Sequence, residues 1–284
     1  MLATGLLATA CGGESSGGDS DRPSVVVTYS VLGAVVRDVV GDAADVSVLM
    51  PDGIDPHDWE PSAKDIEAVS GADLVVANGL HLEPSLEDAL EEAAADGVPV
   101  FFAGDHIDGR MIGDDGAEDP HLWMDPLAMR DVVAALAPEL RAAGIDVGDR
   151  AMVVEADLER LSAELDAILG SVSPDRRELV TGHESLGYFA DRYGFKLVGA
   201  VVPSASSQAE ASAGELAALR ETIEATGVDV IFTEIGAPPD VVDAIASETG
   251  ARVVELGTHN LPEDGTYRTF MLDIANLVAS ALAG

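Results

Sequence analysis

From Asp146 to Leu169 the chain runs 24 residues without a proline, and Val154, Leu158, Leu161, Leu165 and Ile168 recur at three- and four-residue spacing. That period lines one side of an α-helix with apolar side chains. At 1.5 Å per residue the helix would be about 36 Å long, roughly twice the usual length. Its place near the middle of 284 residues predicts a rigid strut joining two lobes, residues 24–144 before it and 173–284 after it, with 145–172 as the link.

Both flanks read as alternating strand and helix. In the first, β-branched runs at Ser24–Tyr29, Val46–Met50, Ala72–Ala77 and Val98–Ala103 alternate with helical periods at Val31–Val40, Ser62–Ser70, Glu83–Asp96 and Asp125–Ala143. In the second, Glu178–Thr181, Phe195–Val202, Val228–Thr233 and Arg252–Leu256 alternate with Leu186–Tyr193, Gly214–Thr226, Pro239–Thr249 and Thr266–Leu282. Such alternation predicts α/β lobes with mainly parallel sheets and crossover helices. Residues 105–119 are acidic and contain glycine, and they read as a loop.

Charge excludes several functions. With 15 Lys+Arg against 52 Asp+Glu, the formal net charge is -37. No basic stripe exists to neutralise phosphates, so nucleic acid is excluded as a partner. Docking on anionic lipid through a basic face is excluded for the same reason. An acidic, solvated surface also raises the local concentration of cations.

The single cysteine, Cys11, rules out an intramolecular disulfide. It follows ten apolar and small residues and precedes a Gly/Ser/Asp tether that ends at residue 23. This resembles a bacterial lipoprotein signal, which implies lipidation of Cys11 and an extracytoplasmic, membrane-anchored protein. The positively charged start of a signal peptide is missing, which predicts a leader beginning further upstream. No other run reaches the roughly 18 apolar residues needed to span a bilayer.

The chemistry lies in the histidines. Two loops share a pattern: Asp55-Pro56-His57-Asp58-Trp59 and Asp119-Pro120-His121-Leu122-Trp123. Proline fixes its own φ and keeps its predecessor out of the helical region, so both histidines sit on stiff loops. His57, His183 and His259 follow expected strands, and His121 begins the approach to a helix. In open α/β sheets ligands collect at the carboxyl ends of strands. Two facing lobes would bring all four histidines to the cleft between them. Neutral imidazole is the commonest metal ligand, and four nitrogens suit tetrahedral Zn²⁺. His81 and His106 read as structural or exposed.

Pro56-His57-Asp58-Trp59-Glu60-Pro61-Ser62, Pro120-His121-Leu122-Trp123-Met124-Asp125-Pro126 and the stretch Thr181-Gly182-His183-Glu184-Ser185-Leu186-Gly187-Tyr188 together resemble the zinc/manganese solute-binding proteins of ABC transporters (cluster A-I, the zinc-uptake periplasmic family). The resemblance covers about residues 24–284. It implies a monomeric carrier that captures Zn²⁺, with Mn²⁺ or Fe²⁺ as the alternative cargo, and delivers it to a membrane permease without doing chemistry. Some relatives of that kind are metal-dependent adhesins. It implies His57, His121 and His183 as ligands. The usual fourth ligand is a carboxylate after the last strand. Here His259 falls at that position, with Asp264 and Glu234 as alternatives. Nitrogen-rich ligation favours Zn²⁺ over Mn²⁺. The long His-rich loop of many zinc carriers is replaced by the acidic segment 105–119, where Asp114, Asp115, Glu118 and Asp119 could collect cations. A zinc hydrolase is the rival from another class, but no His-Glu-x-x-His helix is present.

Overall fold

The computed structural model describes residues 22–112 and 116–283, so Cys11, Asp114 and Asp115 lie outside the described residues. Among them the first sheet holds β1 (Ser24–Val27), β2 (Asp45–Val48), β3 (Leu74–Ala77) and β4 (Val100–Phe102), all parallel in the order β2-β1-β3-β4. Its helices are α1 (Ser30–Val40), α2 (Ala63–Ser70) and α3 (Glu87–Ala95). The central strands Val25–Val27 and Leu74–Ala77 are buried throughout, as expected of parallel strands covered on both faces. Ser62 and Asp65 form a reciprocal capping box that starts α2 directly after the His57 loop.

A small antiparallel ribbon follows, β5 (Met111–Ile112) and β6 (Ala117–Glu118). Next come α4 (Pro126–Ala142) and α5 (Arg150–Leu169). Asp125 caps α4 by accepting from Leu127 N–H, with Pro126 in the first turn. The second lobe holds β7 (Glu178–His183), α6 (Gly187–Tyr193), β8 (Lys196–Val202), α7 (Ala213–Thr226), β9 (Val230–Thr233), α8 (Pro239–Thr249), β10 (Arg252–Glu255) and α9 (Tyr267–Leu282). Its sheet is parallel in the order β10-β9-β7-β8.

Three local expectations change. The long helix begins at Arg150, not Asp146. Asp146 Oδ1 accepts Gly148 N–H at 3.0 Å and Gly148 has φ +56, so this turn takes up the first residues and leaves 20 in the helix. That is about 30 Å. The segment 105–119 is not a plain loop: a 3-10 turn covers Ala103–His106 and the β5–β6 ribbon follows. The helix expected from Glu83 opens with a 3-10 turn at Pro84–Leu86 and becomes α-helical at Glu87.

The inner face of α5 supplies Leu158, Leu161, Leu165 and Leu169 to a core that runs without interruption through both lobes, from Val26 and Leu32 to Phe189 and Phe232. A separate, smaller cluster lies within the second lobe around Val201, Leu219 and Ile231. Helix α9 packs along α5 and touches α1. Tyr267 at its start donates to Trp123 O at 2.7 Å, and its last turn accepts Arg252 at Ala281 O, 2.9 Å away. The long central helix α5 joins the lobes as expected, and α9 adds contacts between them. Truncating a fully buried aromatic such as Phe189 would cost about 3–5 kcal/mol.

Candidate metal centre

The two Asp-Pro-His loops fold alike. In each, the aspartate Oδ1 accepts the histidine main-chain N–H two residues on, at 3.0 Å for Asp55–His57 and 3.0 Å for Asp119–His121. This is the Asx-type turn that short acidic side chains favour, and the intervening proline has no N–H to compete. His183 is the last residue of β7, and its N–H donates to Glu234 Oε1 at 2.8 Å. His259 lies in the loop after β10. Its carbonyl accepts Gly53 N–H at 3.1 Å, and Asp52 Oδ1 accepts Leu261 N–H at 2.9 Å. These bonds pin the last loop of the second lobe to the His57 loop of the first.

Three imidazoles converge from both lobes. Nε2 of His121 lies 3.4 Å from Nε2 of His57 and 3.0 Å from Nε2 of His183. One ligand atom from each of the three falls within 4.8 Å of the others. Tetrahedral Zn²⁺ with bonds of 2.0–2.1 Å would set its nitrogens about 3.3 Å apart, so the spacing fits one ion. His121 and His183 are fully buried, and His57 retains 7% exposure. His259 stands outside that set of three. It is also buried, its Nδ1 lies 3.0 Å from Thr258 Oγ1, and its Nε2 has no hydrogen-bond partner. An unpartnered buried ring nitrogen is costly, and a cation would satisfy it.

Carboxylates back the rings. Asp119 Oδ1 sits 2.8 Å from Nδ1 of His121, and Glu234 Oε1 sits 2.5 Å from Nδ1 of His183. For His121 this acceptor on Nδ1 fixes the tautomer and leaves the Nε2 lone pair for a metal; Nδ1 of His183 makes no hydrogen bond despite the close contact. Both carboxylates are buried. Arg110 donates to Asp119 Oδ2 at 3.0 Å and to Asp191 of α6 at 3.0 Å, so the ribbon segment is tied to both lobes. Asp55 Oδ2 accepts Ser207 O–H at 2.5 Å across the cleft. Gly236, at φ +90, lies against this pair, and a Cβ there would collide with both.

Burial sets the protonation of the rings. It lowers His57 to about 4, with Asp55 opposing and His183 assisting. It likewise lowers His259 to about 4 and holds His121 well below its ordinary value. Desolvation penalises the charged form, so His57, His121 and His259 stay neutral and ready to coordinate. The sequence alone predicts loss of binding below about 6.5; burial moves that limit lower. Burial also pushes Asp119 up to about 7, against the pull of His121 N–H and Arg110. For the pair, both effects favour an uncharged ring hydrogen-bonded to the carboxyl group.

The remaining candidates fall elsewhere. Asp264 is exposed, accepts from Thr266 N–H and Thr269 O–H at 3.0 and 2.7 Å, and stands at the start of α9, away from the cluster. Glu234 is buried behind His183, with Oε1 accepting His183 N–H and Oε2 left without a hydrogen-bond partner. Asp119 is fully buried and committed to His121 and Arg110, so it is unavailable to collect ions, whereas Glu118 is exposed. His106 stacks on Phe101 with centroids 4.6 Å apart.

Sequence reasoning missed a supporting frame. The Trp123 ring packs against His121 and His259 with centroids 5.3 and 5.6 Å away, and its indole N–H donates to Thr258 O at 3.1 Å. Asn78 donates to Pro120 O at 2.9 Å and accepts from Tyr29 O–H at 2.9 Å. Beneath it, fully buried Glu83 accepts from Thr28 O–H at 2.6 Å and Asn78 N–H at 2.9 Å. The available signals were an asparagine placed just after a buried strand and a lone arginine, Arg110, within an acidic stretch.

Two parallel α/β lobes, joined by the long helix α5 and closing on a buried histidine cluster, define a cation-binding protein of the two-lobed, helix-linked class. A family model for the periplasmic component A of zinc-uptake complexes matches residues 25–281, and the chain belongs to that family. Membership makes it a binding component of metal uptake rather than an enzyme. The high-affinity zinc uptake system protein ZnuA of Bacillus subtilis is 30% identical over 275 residues, covering 89% of this chain and 85% of the relative. The manganese-binding lipoprotein MntA of Halalkalibacterium halodurans is 25% identical over 260 residues, covering 89% and 85%. The solved structure of the periplasmic zinc-binding protein TroA from Treponema pallidum has a TM-score of 0.81 and 26% identity, over 92% of this chain and 99% of that one.

Proposed function

We propose that the chain captures Zn²⁺ between its lobes and delivers it to the permease of an ABC transporter. His57, His121 and His183 are the first three ligands, and His259 is the fourth. One observation supports this above the rest: three imidazoles from two lobes bring their Nε2 atoms together, with spacings of 3.4 and 3.0 Å. Four imidazoles favour Zn²⁺ over Mn²⁺, which prefers oxygen ligands. Mn²⁺ is the second reading, because relatives of similar identity are manganese-binding lipoproteins. An all-imidazole site leaves the ion's double charge to the buried acids Asp55, Asp119 and Glu234.

The protein works outside the cytoplasm as a monomer, tethered by lipid on Cys11. Among the described residues no helix is long and apolar enough to cross a membrane. A crystal grown with Zn²⁺ and measured at the zinc absorption edge tests the site. An anomalous peak within about 2.3 Å of the imidazoles of His57, His121, His183 and His259 is expected. A peak elsewhere refutes the site. A peak held by three histidines and a water refutes only the fourth ligand.

A further inference from the structure

A solvent-open cavity of about 460 Å³ reaches His57. His57 is the one ligand candidate in its wall, and also the most exposed of the four. Both lobes line the cavity, through Leu80 and His81, Met111 and Glu118 of the ribbon, and Ser204 and Ser206. It is therefore a path along which a hydrated cation can reach the centre.

His81 stands on the rim of this path, and its geometry is unusual. Leu80 and His81 are the non-glycine residues at positive φ among the described residues, at +56 and +59, directly after Gly79 at +75. Residues with a Cβ disfavour that region, and such strain persists where the surroundings enforce it. Leu80 is accounted for by packing, because its side chain occupies the space that a Cβ on Gly104 would take. His81 is not, because its side chain is 84% exposed. What the turn achieves is to hold the His81 ring at the cavity mouth. There Nδ1 lies 2.7 Å from Oε1 of Glu87, in the first turn of α3. Nδ1–H bonded to a carboxylate leaves Nε2 with a free lone pair. Among the described residues one other histidine makes this bond, His121 with Asp119 in the buried cluster.

We propose that His81 is a transient ligand for a divalent transition-metal cation, taken up at the mouth of the cavity and passed to His57. The inference rests on the metal-carrier reading above. The incoming ion exchanges one water for Nε2 of His81, with the Glu87 charge behind the ring, and then descends to the cluster. An on-path station changes the rates of entry and exit by the same factor and leaves the equilibrium affinity unaltered.

Stopped-flow mixing of the full chain with Zn²⁺, reported by tryptophan fluorescence, and release into excess chelator test this. His81→Asn is the main variant, since asparagine tolerates the left-handed region and keeps the turn. His81→Ala and Glu87→Gln accompany it. Both rates should fall about fivefold in His81→Asn, within the range over which local cation concentration alters association. The Kd from metal competition should stay within about twofold of wild type. His81→Ala should match His81→Asn, and Glu87→Gln should be slowed less. Unchanged rates in His81→Asn, or a loss of affinity with association intact, would overturn the relay. Wild-type protein that fails to bind Zn²⁺ at all would instead refute the carrier reading.

Discussion

Asp119→Asn is the sharpest probe of the centre, because it removes charge while leaving shape. Asp119 Oδ1 accepts both the main-chain N–H of His121 at 3.0 Å and its Nδ1–H at 2.8 Å. An asparagine Oδ1 can accept both, so the turn and the ring orientation survive. What changes is the polarity behind the ring and the contact on the other side. Oδ2 now accepts Arg110 at 3.0 Å, and in the variant an amide NH₂ would face that guanidinium, donor against donor. Replacing a carboxylate of this kind behind a metal-bound histidine costs about 10–100-fold in affinity, or about 1.4–2.8 kcal/mol. Zn²⁺ competition titrations on wild type and Asp119→Asn measure it, with a thermal melt of each metal-free form to check folding. Arg110→Gln in the Asp119→Asn background should recover part of the loss, because it removes the donor clash. Equal affinity in wild type and a folded Asp119→Asn would refute the idea that this carboxylate tunes the ligand.

Other outcomes follow from the same geometry. His259→Ala should weaken Zn²⁺ binding, and His259→Asp should narrow the preference for Zn²⁺ over Mn²⁺ by about tenfold, or about 1.4 kcal/mol; paired titrations with both metals that give an unchanged ratio would exclude His259 from coordination. Trp123→Phe leaves the buried Thr258 carbonyl without its donor at 3.1 Å, a cost of about 1–3 kcal/mol read from denaturant midpoints. Burial lowers His57 and His259 from 6.5 to about 4, so between those values the unfolded chain binds more protons and the metal-free fold loses stability as pH falls, by up to about 3 kcal/mol for one such group. Asp119 and Glu83, each pushed up to about 7, act with the opposite sign in that window. The histidine contribution is therefore the difference between wild type and His259→Ala, and the variant should lose less on acidification; identical pH slopes would contradict the assignment.

Much of this protein was legible in its sequence for a physical reason. Strand and helix periods are local, so the two βα flanks and the mid-chain helix could be placed from spacing alone. The Pro-His loops were visible because proline restricts its neighbours whatever the context. The first four residues assigned to the strut were not legible as a turn, because Asp146 and Gly148 compete with helix through a single side-chain bond. The ribbon at 111–118 was hidden because two-residue strands leave no period to read.

The chain order alone therefore determined which residues could act. It supplied two parallel lobes, stiff histidine loops, and an acidic surface that excludes nucleic acid. The tertiary structure decided which of them meet. Asp264 and His259 are five residues apart, yet one is exposed ahead of α9 and bonded to Thr266 and Thr269, and the other is buried with an unpartnered nitrogen. Glu234 is 51 residues from His183 and backs its ring. His81, read from the chain as structural or exposed, stands at the entrance because a left-handed turn puts it there. Spacing along the chain encodes local conformation, but the direction of a side chain across a cleft depends on how the two lobes pack, and that is set by the shared core beneath them.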